Sequence, residues 1–110
     1  MTDQGKKFLS DILSAIKLIE EFTINVNSFD EYNEDRKTQS AVERQLSIIG
    51  EAVNGYDKLE GVSTLEKARK IVGFRNRLIH AYDSIDNSIV WVILVRYLDD
   101  LKSEAIQKLA

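Results

Sequence analysis

Arg75-Asn76-Arg77-Leu78-Ile79-His80-Ala81-Tyr82 places two arginines, an asparagine, a tyrosine and the chain's single histidine within eight residues. Histidine is the side chain whose ordinary pKa lets it take up and release a proton near neutral pH. Arginine keeps its charge and presents a planar fork of donors suited to phosphate oxygens. A histidine base and an arginine clamp form a minimal kit for cutting RNA. The base takes the 2′-OH proton, that oxygen attacks the adjacent phosphorus, and the arginine stabilises charge building on the phosphoryl oxygens. Such a route leaves a 2′,3′-cyclic phosphate and cannot act on DNA, which lacks the nucleophile. The structural alternative is a histidine that caps or packs near a helix end.

Spacing constrains how these groups meet. Asn76 and His80 are four apart and share a helix face. Arg75 and His80 lie about 140° apart on an ideal helix. They converge where the helix ends or loosens near His80, or where one of them comes from another chain. A single histidine per chain also means that any two-histidine acid–base scheme needs two chains. Both points favour a composite site at a dimer interface. No carboxylates cluster around His80 with metal-ligand spacing, Asp83 and Asp86 being the near ones, so no metal site is expected. No Gly-rich phosphate loop is present, and no cofactor is implied.

Charge is unevenly spread. The 110-residue chain has net charge −3 and a pI near 5.2. Between Glu66 and Arg77, however, Lys67, Arg69, Lys70, Arg75 and Arg77 face one acid, giving +4 and leaving −7 elsewhere. A basic stripe on an acidic body attracts a phosphate backbone locally while the body suppresses indiscriminate binding. The alternative is a solvated helix face. Hydrophobic residues make up 44% and charged residues 30%, enough to bury a core in a single domain over residues 1–110. With no cysteine there is no disulfide frame and no thiol nucleophile. The N-terminus lacks a signal-peptide core, and the longest apolar run, Ile89 to Val95, is too short to span a bilayer. A cytoplasmic protein without membrane contact is expected.

The positioning elements read as helices, since the chain has no proline and only five glycines. The first is expected from Asp3, as N-cap, to Asn27, with Phe8, Ile12, Ile16, Ile19, Phe22 or Thr23, and Val26 on one stripe. A polar connection pinned by Phe29 and Tyr32 leads to a second helix, Asp35 to Lys58, bearing Ala41 or Val42, Leu46, Ile49, Val53 and Tyr56. Gly50 in its middle predicts a tight helix crossing. After a turn at 59–62, Ser63-Thr64-Leu65-Glu66 has capping-box spacing for a third helix, Thr64 to Ala81, with a close contact expected at Gly73. Asp86 is the expected N-cap of a fourth helix reaching Leu109. Its first part, Ile89 to Val95, is apolar all round and must be covered, either by its own three neighbours or by a second copy. The sum is an all-α, four-helix up-and-down bundle.

The octapeptide also resembles the R-x4-H-x-Y signature of the HEPN superfamily, in its HepT-like (DUF86) branch. The likeness extends to Ala41–Arg44 and Ile48–Ala52, to Val72-Gly73-Phe74, and to Asp86–Trp91, covering most of the chain from Asp11 onward. It implies a homodimeric four-helix bundle with the two motifs facing each other at the interface. It implies a metal-independent endoribonuclease acting as the toxin of a type II or type VII toxin–antitoxin pair, with an MNT-type nucleotidyltransferase antitoxin as partner. Carried over by position, Arg75 and His80 are catalytic, Asn76 and Arg77 supporting, and Tyr82 the residue that receives AMP. A bulky anion on Tyr82, two residues from His80, would block the cleft and repel phosphate. Glu43, Arg44 and Glu51 match the second-helix pattern and are read as an ion pair or structural support behind the motif. The Pro-Trp pair that often precedes the motif helix is missing, Val62-Ser63-Thr64-Leu65 standing there, so helix entry and partner surface are expected to differ.

Two further readings compete. One is a non-catalytic subunit that presents substrate to a nucleotidyltransferase. The other is a helical dimerisation module whose motif is a satisfied polar network.

Overall fold

A computed structural model describes residues 1–69, 71–73 and 86–110, and every regular element among them is helical. Helix α1 spans Asp3–Phe22, α2 Phe29–Glu34 and α3 Arg36–Asp57. A 3-10 turn follows at Glu66–Ala68. The last helical stretch is α4 (Asn87–Val92), a π segment (Ile93–Tyr97) and α5 (Leu98–Leu109), joined end to end.

Helix α1 starts one residue earlier than expected. Thr2, not Asp3, is the N-cap, its hydroxyl accepting from the Gly5 amide at 3.1 Å. Asp3 instead sits in the first turn, where its charge suits the exposed amide dipoles. The helix also ends at Phe22 rather than Asn27. The Thr23 hydroxyl donates back to the Ile19 carbonyl at 2.8 Å, and Val26 turns its amide to the Thr23 carbonyl. That local bonding offers the backbone an alternative to further helix.

Helix α3 keeps its expected limits to within a residue at each end. Asp35 caps it, accepting from the Thr38 amide at 3.0 Å and the Thr38 hydroxyl at 2.6 Å. Val42, Leu46, Ile49, Val53 and Tyr56 are all buried, facing Leu9, Ile12, Ile16 and Ile19 from α1 in one core. The α1–α3 pairing is the most extensive between elements, with α1 also packing on α5. Leu98, Leu101 and Ala105 from α5 complete the aliphatic interior.

A tight approach falls at Gly55, where a Cβ would stand 2.5 Å from Cζ of Phe8, and Gly50 is itself buried. Among the described residues, nothing lies within 4 Å of the position a Cβ on Gly73 would take. Gly61 does use glycine's freedom, turning the chain at φ 77°.

The fourth helix begins as read, Asp86 accepting from the Ser88 amide at 2.9 Å. Its apolar first part is not enclosed on all sides. Val90 and Ile93 are buried, whereas Val92 is 37% and Val95 57% exposed. A helix covered by its own neighbours all round is therefore not what forms. No helix among the described residues is long and apolar enough to cross a membrane.

Candidate functional site

Arg75, Asn76, Arg77, His80 and Tyr82 lie outside the described residues, as does the expected third helix from Phe74 to Ala81. What the structure shows is the frame on either side of them, and both ends of that frame are fixed by side chains from elsewhere in the chain.

At the entry, the capping box predicted from Ser63 to Glu66 does not form. The 3-10 turn has no cap from its own N-cap residue, Leu65. Asp57, the last residue of α3, accepts from the Leu65 amide through Oδ1 at 3.0 Å. Glu104 of α5 then accepts from two successive amides, Oε2 from Glu66 at 3.0 Å and Oε1 from Lys67 at 2.9 Å. Glu66's own carboxylate is turned aside, taking the Thr64 hydroxyl at 3.2 Å and Arg69 Nη2 at 3.4 Å. Beneath this clasp Leu65, Ala68 and Ile71 are fully buried. Apolar burial and carboxylate-to-amide bonds thus hold the same few residues from opposite sides.

At the exit, Asp86 accepts from both the amide and the hydroxyl of Ser88, the latter at 2.6 Å. These bonds, the hydroxyl foremost, hold its carboxyl below the ordinary value of 3.8. Asn87 Nδ2 donates to Asn33 Oδ1 at 3.0 Å, and the rings of Tyr32 and Trp91 stand 5.8 Å apart at 34°. Helix α2, expected as no more than a connection with one turn, is therefore the brace for the residues that follow the motif.

Lys67 and Arg69, the described members of the basic stripe, are exposed. They leave a cationic edge at the entry that phosphate can reach. A cavity of about 300 Å³ lined by Glu66, Lys67, Tyr97 and Asp100 adjoins it. Lys70 lies outside the described residues.

The three support residues on α3 have different surroundings. Glu43 is half-buried, and desolvation raises its carboxyl above the ordinary 4.5. Arg44 and Glu51 are exposed. No ion pair joins Glu43 to Arg44 among the described residues. Tyr32 is fully buried and its hydroxyl has no hydrogen-bond partner among the described residues. Burial, then the charges of Glu43 and Asp35, push its phenol well above the usual tyrosine range. Tyr32 was expected to pin the connection, but the spacing gave no sign of Glu104, which acts across 37 and 38 residues. No group of three His, Asp or Glu residues that could hold a metal occurs among the described residues.

Comparison with known proteins places this frame. Residues 12–107 match the family model described as Ribonuclease HepT-like. "Probable ribonuclease HepT" of Thermococcus cleftensis is 39% identical over 109 residues, covering 94% of each chain. "Putative RNase MJ0127" of Methanocaldococcus jannaschii is 40% identical over 103 residues, covering 88% of this chain and 81% of the relative. "Putative RNase TTE0752" of Caldanaerobacter subterraneus is 27% identical over 100 residues, covering 90% and 88%. No solved structure matches. With nearly the whole chain aligned and the Arg75-x4-His80-x-Tyr82 motif inside the matched range, the chain belongs to the ribonuclease HepT-like family.

Proposed function

We propose that this chain is a metal-independent endoribonuclease, the toxin of a toxin–antitoxin pair. The observation that carries the reading is the Arg75-x4-His80-x-Tyr82 motif within a match to the HepT-like family over residues 12–107. Its two named relatives with the highest identity above are each called ribonucleases.

In this reading His80 takes the proton from a ribose 2′-OH, and that oxygen forms a bond to the adjacent phosphorus. The bond from phosphorus to the 5′ oxygen breaks, leaving a 2′,3′-cyclic phosphate and a 5′-hydroxyl. The leaving oxygen takes a proton from a general acid, for which the His80 of a second copy is available. Arg75 stabilises the charge on the phosphoryl oxygens, with Asn76 and Arg77 beside it. The exposed Lys67 and Arg69 extend the cationic edge along which the strand would lie.

The same reading makes the chain one four-helix up-and-down domain that pairs with a second copy. The exposed Val92 and Val95 supply apolar surface on the helix that the sequence marks for such a contact. A nucleotidyltransferase antitoxin would silence it by transferring AMP to Tyr82, with Glu43, Arg44 and Glu51 as support behind the motif.

The test is incubation of purified protein with RNA in excess EDTA, beside His80→Ala. Cleavage by the wild type and a loss of about 10²–10⁴-fold in the variant is expected. Equal cleavage by both, or none by either, rejects the reading in favour of a substrate-presenting or purely dimerising module. Mass spectrometry of protein co-expressed with its antitoxin is expected to show AMP on Tyr82.

A further inference from the structure

We propose that Glu104 is a positioning residue for the candidate site, its carboxylate fixing where the chain enters the motif. This rests on the RNA-cleavage reading and adds to it a residue outside the motif.

Glu104 engages the amides of Glu66 and Lys67 at 3.0 and 2.9 Å, and Asp57 engages the preceding amide, Leu65, at 3.0 Å. Three successive backbone donors are thus claimed by two carboxylates from two different helices. Bonds from amides to a charged acceptor are short and directional, and two on one carboxylate fix orientation as well as distance. The sequence offered a local alternative in Ser63 to Glu66. A local cap would satisfy the same amides while leaving the turn free to shift against the core. A carboxylate carried on α5 ties the turn to an element that is itself held, through Leu101 and Ala105 in the core.

The clasp also has its second anchor close by. Leu65, Ala68 and Ile71 are all fully buried, so the segment is pinned on its apolar side at the same residues. Gly73 is the last described residue before the motif, and Arg75 follows two positions later. Glu66 and Lys67 stand nine and eight positions ahead of Arg75, so a displacement of the clasp is expected to reach the residues that would meet the scissile phosphate. Reaction rates are steep in such displacements, where about 1 Å can cost about 10²-fold. Lys67 and Arg69 are exposed, although Arg69 Nη2 also meets the Glu66 carboxylate at 3.4 Å.

The experiment combines cleavage kinetics with amide spectra of the full chain, for wild type, Glu104→Gln, Glu104→Ala, Lys102→Ala and Ile16→Val. Gln keeps one acceptor but turns an N–H toward the second amide. Both Glu104 variants are expected to lower kcat by about 10-fold or more with KM within about 2-fold. Their ¹⁵N spectra should move the Glu66 and Lys67 amides together with those of Arg75 to Tyr82. Lys102→Ala removes a neighbouring exposed ion pair to Glu20, and Ile16→Val lowers stability at a distance from the clasp. Both should leave kcat and the motif amides in place. The proposal is overturned if Glu104→Gln keeps wild-type kcat. It is equally overturned if Ile16→Val loses as much activity, or if only the Glu66 and Lys67 amides move. A wild type that cleaves no RNA would reject the ribonuclease reading, while the spectra would still decide whether Glu104 positions the motif.

Discussion

The α1–α3 core and the frame around residues 74–85 are held by different forces. Between α1 and α3 the contacts are aliphatic: Ile12, Ile16 and Ile19 against Val42, Ile49 and Val53, with at most 3% of any exposed. Around the frame, carboxylates and amides at half-exposed or exposed positions add directed contacts, Glu104 at the entry and Asp86 and Asn33 at the exit. Apolar packing is strong but tolerant of small slides, because it has no preferred direction. Hydrogen bonds contribute less free energy net, yet they fix direction. The molecule therefore keeps its stability in one region and its alignment in another.

Substitutions that separate the two quantities test this division. The largest effect is expected from Arg75→Ala, a loss of about 10²–10³ in kcat for RNA cleavage, as for removal of one donor to developing charge. Its thermal midpoint should stay near that of the wild type. Ile49→Ala should do the reverse. It lies fully buried at the α1–α3 face, so chemical denaturation should show a loss of about 2–5 kcal/mol. Activity of the fraction that remains folded should be little changed. A large drop in kcat for folded Ile49→Ala would mean that core and frame are not separate.

Gly55→Ala is expected to cost about 1–3 kcal/mol, because the added methyl meets the tip of the Phe8 ring. Pairing it with Phe8→Leu should recover part of that loss. Failure of the double variant to recover would place the strain elsewhere. The smallest effects concern pH, and they carry opposite signs. Asp86 has a lowered pKa, so its stabilising contribution is present above the ordinary 3.8 and is lost as pH falls through the lowered value. Glu43 has a raised pKa, so stability falls as pH rises from the ordinary 4.5 through the raised value. Thermal midpoints of Glu43→Gln should exceed those of the wild type at neutral pH, while Asp86→Asn should lie below. Matching responses in the two variants would contradict the assignment.

Much of the core was legible because burial at period 3.6 leaves a pattern within one element. Ile12, Ile16 and Ile19 show it in α1, and Val42, Leu46, Ile49, Val53 and Tyr56 in α3. The cap at Asp86 was legible for a similar reason, since donor and acceptor are two residues apart, whereas Asp3 lost that role to Thr2. Features that failed to show depend on distance along the chain. Ser63 to Glu66 has every local mark of a capping box, and only the fold brings Glu104 close enough to displace it. Gly55 inside α3 meets Phe8 of α1, a contact set by how α1 lies and not by spacing within α3. The candidate site was readable as chemistry in Arg75 and His80. A composite site in a dimer was suggested by the single histidine and by the angle of about 140° between Arg75 and His80, while the role of Tyr82 rests on family resemblance.

The π segment at Ile93–Tyr97 gives the frame a mechanical property. Trp91, which braces the exit, and Glu104, which clasps the entry, stand on one continuous rod on either side of that wide turn. The rod works as a gauge that holds the two ends of the motif at a set spacing and rotation. A π turn takes up about one residue more than an α turn. Removing one residue within it would only restore an α turn, whereas removing one from the regular turns that follow, such as the exposed Asp99, would swing Glu104 by roughly 100° relative to Trp91. The Glu66 and Lys67 amides would then lose their acceptor although every residue of the clasp remained, a shift their ¹⁵N signals would report. The gauge has its own length, and that length is a heritable setting of the site.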